Sequence, residues 1–298
     1  MVINGCPSRI ALKKILFLTD FSGPSDAALP FLISIARNYG ATVNALHVLM
    51  PSPLIYTTPE LGDAAVAADE ELAQREMQKL DSQLLGVAHE TNVEWAPAIW
   101  PVVERTMAED GIDLVVVGTH GRTGAQKILL GSVAEEIFRK STAPVLTIGP
   151  AVSRGAHNDG KFHNVLLATD FGAESETAAR YAISFAQENQ ANLTLLHVLH
   201  GPRRLNGHAP PPSAAEVLHN LMEIVPPEAE LWCRPEPAIE YGEPAKGILH
   251  AAKMRGADLI VLGLHGSVRL QTAADRSLRA TAHKIVAHSL CPVLTARS

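Results

Sequence analysis

Residues 14–20 read KILFLTD, and 150 positions further on residues 164–170 read NVLLATD. Each is a short apolar run that closes on Thr-Asp. Each is followed by Phe (Phe21, Phe171) and then by a stretch of Ala, Ser and charge that keeps helical apolar spacing. A strand that stays apolar without alternating is covered on both faces, as in a parallel sheet flanked by helices. The correspondence continues outward. Residues 45–49 (ALHVL) answer 195–199 (LLHVL), again 150 apart; 113–121 (DLVVVGTHG) answer 258–266 (DLIVLGLHG) at 145; 143–147 (APVLT) answer 291–295 (CPVLT) at 148. Matched segments in one order, with drifting offsets, describe a duplicated domain whose loops have changed length.

Within each half the pattern is strand and helix in alternation, ending on a fifth strand. This predicts an α/β fold class: two tandem, open, parallel five-stranded sheets with helices on both faces, Rossmann-like in kind. Residues 26–38 and 65–89 carry the apolar spacing of helices. Gly40 and Gly111 fall where helices should end, since glycine enters the left-handed conformation without steric cost. The domains are expected at residues 1–149 and 161–298. GPAVSRGAHNDG (149–160) is the linker, and GPRRLNGHAPPP (201–212) a mobile loop that exposes Arg203 and Arg204.

Composition limits what such a chain can do. Of 298 residues 47% are hydrophobic, enough to fill two cores. Lys+Arg number 25 against Asp+Glu 31, a net charge of −6, so no broad basic field exists and no nucleic-acid partner is expected. Three cysteines, Cys6, Cys233 and Cys291, lie far apart with no CxxC pair. That excludes a disulfide framework and a thiolate zinc site of ordinary spacing, and fits a reducing compartment. The cysteines read as exposed, with no activating cluster nearby in sequence. The opening residues lack the apolar core of a signal peptide, and the apolar runs are of strand length. No membrane partner is expected, and the cytoplasm is the expected location.

Open parallel sheets bind ligands beyond the carboxyl ends of their strands, where strand order reverses. In the first half that rule selects Thr19-Asp20, Val48, and the segment GTHGRTGAQKILLGS (118–132). Gly118 and Gly121 have no Cβ, so a ligand could press on the backbone there. Nine residues then arch over and return to Gly131 and Ser132, which would offer free amides and a hydroxyl at a helix N-terminus, where an anion is favoured. The segment reads as a phosphate cradle without a Walker lysine. Asp20 could accept from an adenine amino group or a ribose, or help hold Mg2+. No GxxxxGK[ST], GxSxG or HExxH occurs. A hydrolase also needs a positioned water and stabilised leaving-group charge, which Asp20 alone does not supply. The chain is therefore expected to bind rather than catalyse, with slow turnover as the most it would show.

These residues carry a resemblance. Both halves resemble the universal stress protein family, whose nucleotide-binding members carry G-x2-G-x9-G-[ST] after strand four. Gly118, Gly121, Gly131 and Ser132 match that pattern, supported by LTDFS at strand one, LHV at strand two and APVL at strand five. The resemblance implies ATP as ligand, with Leu18, Thr19, Asp20 and Val48 around adenine and ribose. Val117 and Gly118 would form the opposing wall, and Gly121, Gly131, Ser132 and Val133 would hold phosphates. It also implies a nucleotide-responsive stress or regulatory factor with an unidentified protein partner, recognised through the ordered loop 122–130. A nucleotide-free interaction scaffold is the alternative. Fifth strands meet across a two-fold axis in single-domain relatives, so residues 145–148 and 293–296 are expected to pair as an internal pseudo-dimer. A homodimer of whole chains is neither required nor excluded.

The second half departs from the pattern. Gly263 and Gly266 remain, but after nine intervening residues stands Arg276 rather than Gly. The stretch to Pro292 is three residues longer than its counterpart, and counting back from the prolines sets Arg279-Ala280 against Gly131-Ser132. Asp170 and Val198 persist, so this half keeps a nucleoside wall without the cradle, unless Arg279 reaches a phosphate itself. Several residues have plainer readings. Asp20 and Asp170 could cap the first helix, and the glycines could serve only a tight loop. His47 and His197 read as structural, His120 and His265 as orienting the loop, with His120 also counted among the expected nucleotide contacts, and no metal site is expected. Arg122 and Lys127 read as solvated. Trp100, where the second half has Tyr241-Gly242, packs over the pocket mouth or the neighbouring helix.

Overall fold

A computed structural model describes residues 10–51, 59–119, 131–152, 160–199, 212–227, 233–264 and 273–297. The first half runs β1 (Lys14–Leu18), α1 (Gly23–Tyr39), β2 (Thr42–Leu49), α2 (Pro59–Gln83), β3 (His89–Trp95), α3 (Ile99–Asp110), β4 (Leu114–Gly118), α4 (Ser132–Lys140) and β5 (Val145–Ile148). The second repeats the order as β6 (Asn164–Ala168), α5 (Ala173–Asn189), β7 (Asn192–Leu199), α6 (Ala214–Glu223), β8 (Pro235–Tyr241), α7 (Pro244–Met254), β9 (Leu259–Leu264), α8 (Ala273–His288) and β10 (Val293–Arg297).

The two five-stranded sheets are joined. All ten strands form one sheet in the order β3-β2-β1-β4-β5-β10-β9-β6-β7-β8. Every neighbouring pair is parallel except β5 and β10, which run antiparallel with Val293 opposite Thr147, Leu294 opposite Leu146 and Thr295 opposite Val145. Leu146 and Leu294 occupy equivalent places in the repeat, so the pseudo-two-fold axis passes through that pair and the contact is self-complementary. All four residues of β5 and all five of β10 are buried. Two edges that would otherwise template further pairing thus cover each other. Of the two outer strands, β3 and β8, the first, HETNVEW, is polar along most of its length.

The sequence leads to one core per domain, and the structure corrects this. Each core lies on one face of the shared sheet and crosses both halves. One joins α1 and α2 to α5 and α6, the other joins α3 and α4 to α7 and α8. The first is bridged by Phe31 stacked on Phe162 (5.7 Å between centroids) and by Tyr39 edge-on to Phe185 (5.7 Å). The Tyr39 hydroxyl also lies 2.9 Å from Ser184 Oγ. The repeated Asp before β4 and β9 has a structural use. Asp113 accepts from the amides of Lys13 and Lys14 (2.7 and 3.0 Å), and Asp258 from those of His163 and Asn164 (2.7 and 3.0 Å). Each carboxylate satisfies two amides where the first strand of its half begins.

Gly40 and Gly111 end α1 and α3 at φ +66° and +65°, as their spacing predicts. Cys233 and Cys291 are buried rather than exposed, and burial pushes their thiols up to about 11 and about 12. Neither is a thiolate at neutral pH, so neither has the reactivity of a redox cysteine. Cys6 lies outside the described residues. Among those described, no helix is long and apolar enough to cross a membrane.

Candidate functional site

Strand order reverses between β1 and β4, so the chain leaves these neighbours in opposite directions and opens a cleft at their carboxyl ends. The cleft encloses about 300 Å³, and Leu18, Thr19, Asp20, Val48, Val117, Gly118, Gly131, Ser132 and Val133 all line it. His120 and Gly121, with the loop 122–130, lie outside the described residues. Ser25, Leu46, His47, Met50, Ile99, Thr119 and Ala134 complete the wall and were not singled out as ligand contacts from sequence. Thr119 and Ala134 adjoin motif residues and Met50 follows the LHVL run, so position along the chain was the available signal.

The turn after β1 holds itself in shape. Phe21 sits at φ +58°, a left-handed conformation that a bulky side chain adopts at a cost of roughly 1–3 kcal/mol. The bond from the Phe21 amide to Thr19 Oγ1 (3.0 Å) and the ring contact with His47 (4.5 Å between centroids) oppose that strain. His47 Nδ1 donates to the Thr19 carbonyl at 2.8 Å, which fixes its tautomer and braces the turn. Asp20 Oδ1 accepts from Ser25 Oγ (2.8 Å) and the Ser22 amide (3.0 Å), a cap on the entry to α1. Among the described residues Oδ2 accepts nothing, so one oxygen caps and the other remains available. The second half repeats the device with Phe171 at φ +62°, Thr169, His197 and Asp170.

Two details differ from the sequence reading. At Gly118 an added Cβ would lie 2.7 Å from the Pro24 carbonyl carbon and 2.8 Å from the Ser25 amide nitrogen. The missing side chain therefore admits the start of α1 and not a ligand, and Gly263 does the same beside Glu174 and Ser175. At Gly131 the amide is not free. It donates to the Thr119 carbonyl at 2.6 Å, at an ordinary φ of −58°. The open donors belong one residue on: Ser132, Val133 and Ala134 form the first turn of α4 and have no intrahelical acceptor.

The second half has a cleft of similar size, about 320 Å³, including Asp170, His197, Val198 and Gly263. Its last helix is different. α8 begins at Ala273, seven residues before the position equivalent to Ser132, which is roughly two extra turns. The amides of Arg279, Ala280 and Thr281 therefore lie inside a helix, directed at its own carbonyls, and Ser277 and Leu278 line the cleft. Leu264 stands where Thr119 stands in the first half. Arg279 is not among the lining residues, and its charge acts on Arg297 instead. Trp100 packs on the neighbouring helix rather than over the cleft, with Lys140 Nζ 5.4 Å from its ring centroid; its neighbour Ile99 reaches the cleft wall.

Fold, switch-point cleft and duplication together define a tandem α/β protein of Rossmann-like architecture. The sequence pattern of the universal stress protein family matches residues 11–149 and again 161–297, and the chain belongs to that family. Universal stress protein MJ0531 of Methanocaldococcus jannaschii is 33% identical over 142 residues, covering 46% of this chain and 81% of that protein. Universal stress protein MJ0577 of the same organism is 26% identical over 166 residues, 47% and 96% respectively. A crystal structure of a universal stress protein from Archaeoglobus fulgidus is similar over both halves, with a TM-score of 0.68, 23% identity, and coverage of 95% of this chain and 96% of that one.

Proposed function

We propose that this protein binds ATP in the cleft of its first half and acts as a nucleotide-responsive regulatory factor in stress. The reading rests on one observation above all: the first turn of α4 opens onto the cleft with three amides lacking intrahelical acceptors, a seat for phosphate oxygens. The rest of the cleft suits the remainder of such a ligand. Leu18, Val48 and Val117 offer an apolar wall for a base, and Asp20 Oδ2 offers an acceptor for a ribose hydroxyl. A cleft of about 300 Å³ falls at the small end of ordinary small-molecule sites.

Among the described residues no group of three His, Cys, Asp or Glu could hold a metal ion. Mg2+ fits this site only as a companion of the phosphates, with Asp20 as the single carboxylate among the described residues that line the cleft. The same sparseness favours binding over turnover. In the second half the extended α8 favours a structural or interaction role, so one nucleotide per chain is the expected stoichiometry.

Isothermal titration tests the reading. Wild type should bind one ATP per chain, and Gly131→Arg with Ser132→Ala should abolish binding while leaving the circular dichroism spectrum unchanged. No heat of binding in wild type, or full affinity in the double variant, refutes it and leaves the interaction scaffold standing. A phosphate-release assay that gives the same rate for wild type and Asp20→Ala would set hydrolysis aside.

A further inference from the structure

The antiparallel junction carries each half's last strand to the end of the other half's last helix. Arg297, at the end of β10, is buried, and its guanidinium donates to the carbonyls of Phe138 and Ser141 through Nη2 and Nη1. Those are the closing carbonyls of α4, the helix whose first turn forms the phosphate seat. The guanidinium also lies 5.8 Å from the Phe138 ring centroid. Burial and the nearby Arg279 hold its pKa down to about 10, which leaves it charged at neutral pH.

The mirror position is Gly149, which follows β5 and faces the end of α8. An added Cβ there would lie 2.7 Å from the Val286 carbonyl oxygen and 3.7 Å from that of Ser289, the equivalents of Phe138 and Ser141. One helix end therefore receives a cation from the opposite half, while the other meets a residue with no side chain. The helix that receives it is the one with the open seat.

Why α4 should need this follows from its length. Nine residues are too few for a helix to persist by itself, and Gly131 provides no side-chain cap at its start. Packing of Ala134, Ile137 and Phe138 holds one face. The end is held by Arg297, which satisfies carbonyls that would lack partners and places positive charge at the negative pole of the helix.

We infer that Arg297 is a positioning residue: from the half that has no phosphate seat, it clamps α4 and so sets the seat of the other half. This rests on the ATP reading of the first cleft and adds a direction of dependence. The second half holds the first site in working order. Binding energy is reciprocal, so phosphate at the start of α4 should in turn tighten the hold on Arg297.

The test compares wild type with Arg297→Met, which keeps length and burial but removes the charge and both donors. ATP and adenosine affinities are measured by titration, and amide hydrogen exchange is followed in the ligand-free full chain. ATP should bind about tenfold more weakly to the variant, within the usual range of coupling between sites. Adenosine, which has no phosphate, should bind unchanged. Exchange should accelerate in α4 and not in β1 or β6. Arg297→Lys, which restores the charge, should recover part of the loss, and it serves as the probe if the Met variant does not fold. Equal loss of ATP and adenosine affinity, or exchange that rises throughout the chain, overturns the inference in favour of a general structural role. Unchanged ATP affinity with unchanged α4 exchange overturns it outright. If wild type binds no ATP, the functional reading fails separately, and α4 exchange alone decides the clamp.

Discussion

The Gly131 amide donates to the Thr119 carbonyl across 2.6 Å, so a main-chain bond ties the end of β4 to the start of α4 although eleven residues separate them in the chain. That bond decides which amides face outward: Gly131 closes the loop, and Ser132 to Ala134 remain for a ligand. Because Gly131 sits at φ −58°, an L side chain is accommodated there without backbone strain. Gly131→Ala should leave stability within about 0.5 kcal/mol of wild type, as for an ordinary surface change. Gly131 lines the cleft, so ATP affinity should fall. Thermal unfolding and titration on the same sample check both, and a large loss of stability would contradict the geometry.

Gly118 should behave in the opposite way. A methyl group there meets the backbone of Pro24 and Ser25, which cannot swing aside as a side chain would. Gly118→Ala is expected to destabilise by about 1–3 kcal/mol, the usual cost of overpacking. Gly263→Ala should do the same, because its Cβ would lie 2.6 Å from the Glu174 carbonyl oxygen. Urea unfolding of the two variants provides the measure, and neutrality at either site would show that the helix starts can move.

The junction between the halves predicts a coupling. Leu146 and Leu294 are fully buried and face each other across the axis. Truncating either to Ala should cost about 2–5 kcal/mol. The double variant should deviate from additivity by about 0.5–3 kcal/mol, since the pair shares its packing. Additive losses would mean that the two residues are supported independently.

Cys291 sets an alkaline limit. Its thiol is pushed up to about 12 in the folded chain, mainly by burial, whereas an unfolded thiol titrates at about 8.5. The folded form holds its proton longer. The stabilisation is therefore present below about pH 8.5 and declines as pH rises toward 12. Between pH 8 and pH 10 wild type should lose about 2 kcal/mol more than Cys291→Ala. Parallel urea titrations at the two pH values decide the point, and identical losses would mean the thiol is not shielded.

The fold was legible because duplication wrote it twice. Apolar runs at 14–18 and 164–168, the LHV strands and the APVL and CPVL ends recur in one order, and covered parallel strands need no other signal. Nine of the eleven expected ligand contacts line the first cleft, since a motif at a switch point is placed by topology. What could not be read were matters of register and approach. Nothing in the letters Gly118 says whether backbone or ligand fills the space beside it. The added turns of α8 were disguised as a loop of altered length, because residues 273–279 have the composition of either. Arg297 carried no signal at all, for its partners lie over 150 positions away and are main-chain atoms.

The shared sheet has a consequence for any attempt to dissect the molecule. Cutting the chain between its repeats would leave Val145–Ile148 bare along one side. The best cover for that raw margin is a second copy of the same strand, because Leu146 already meets its own counterpart at the centre of symmetry. An isolated first repeat would come out of solution as a twin of itself, and its helix α4 would have lost the distant arginine that steadies it.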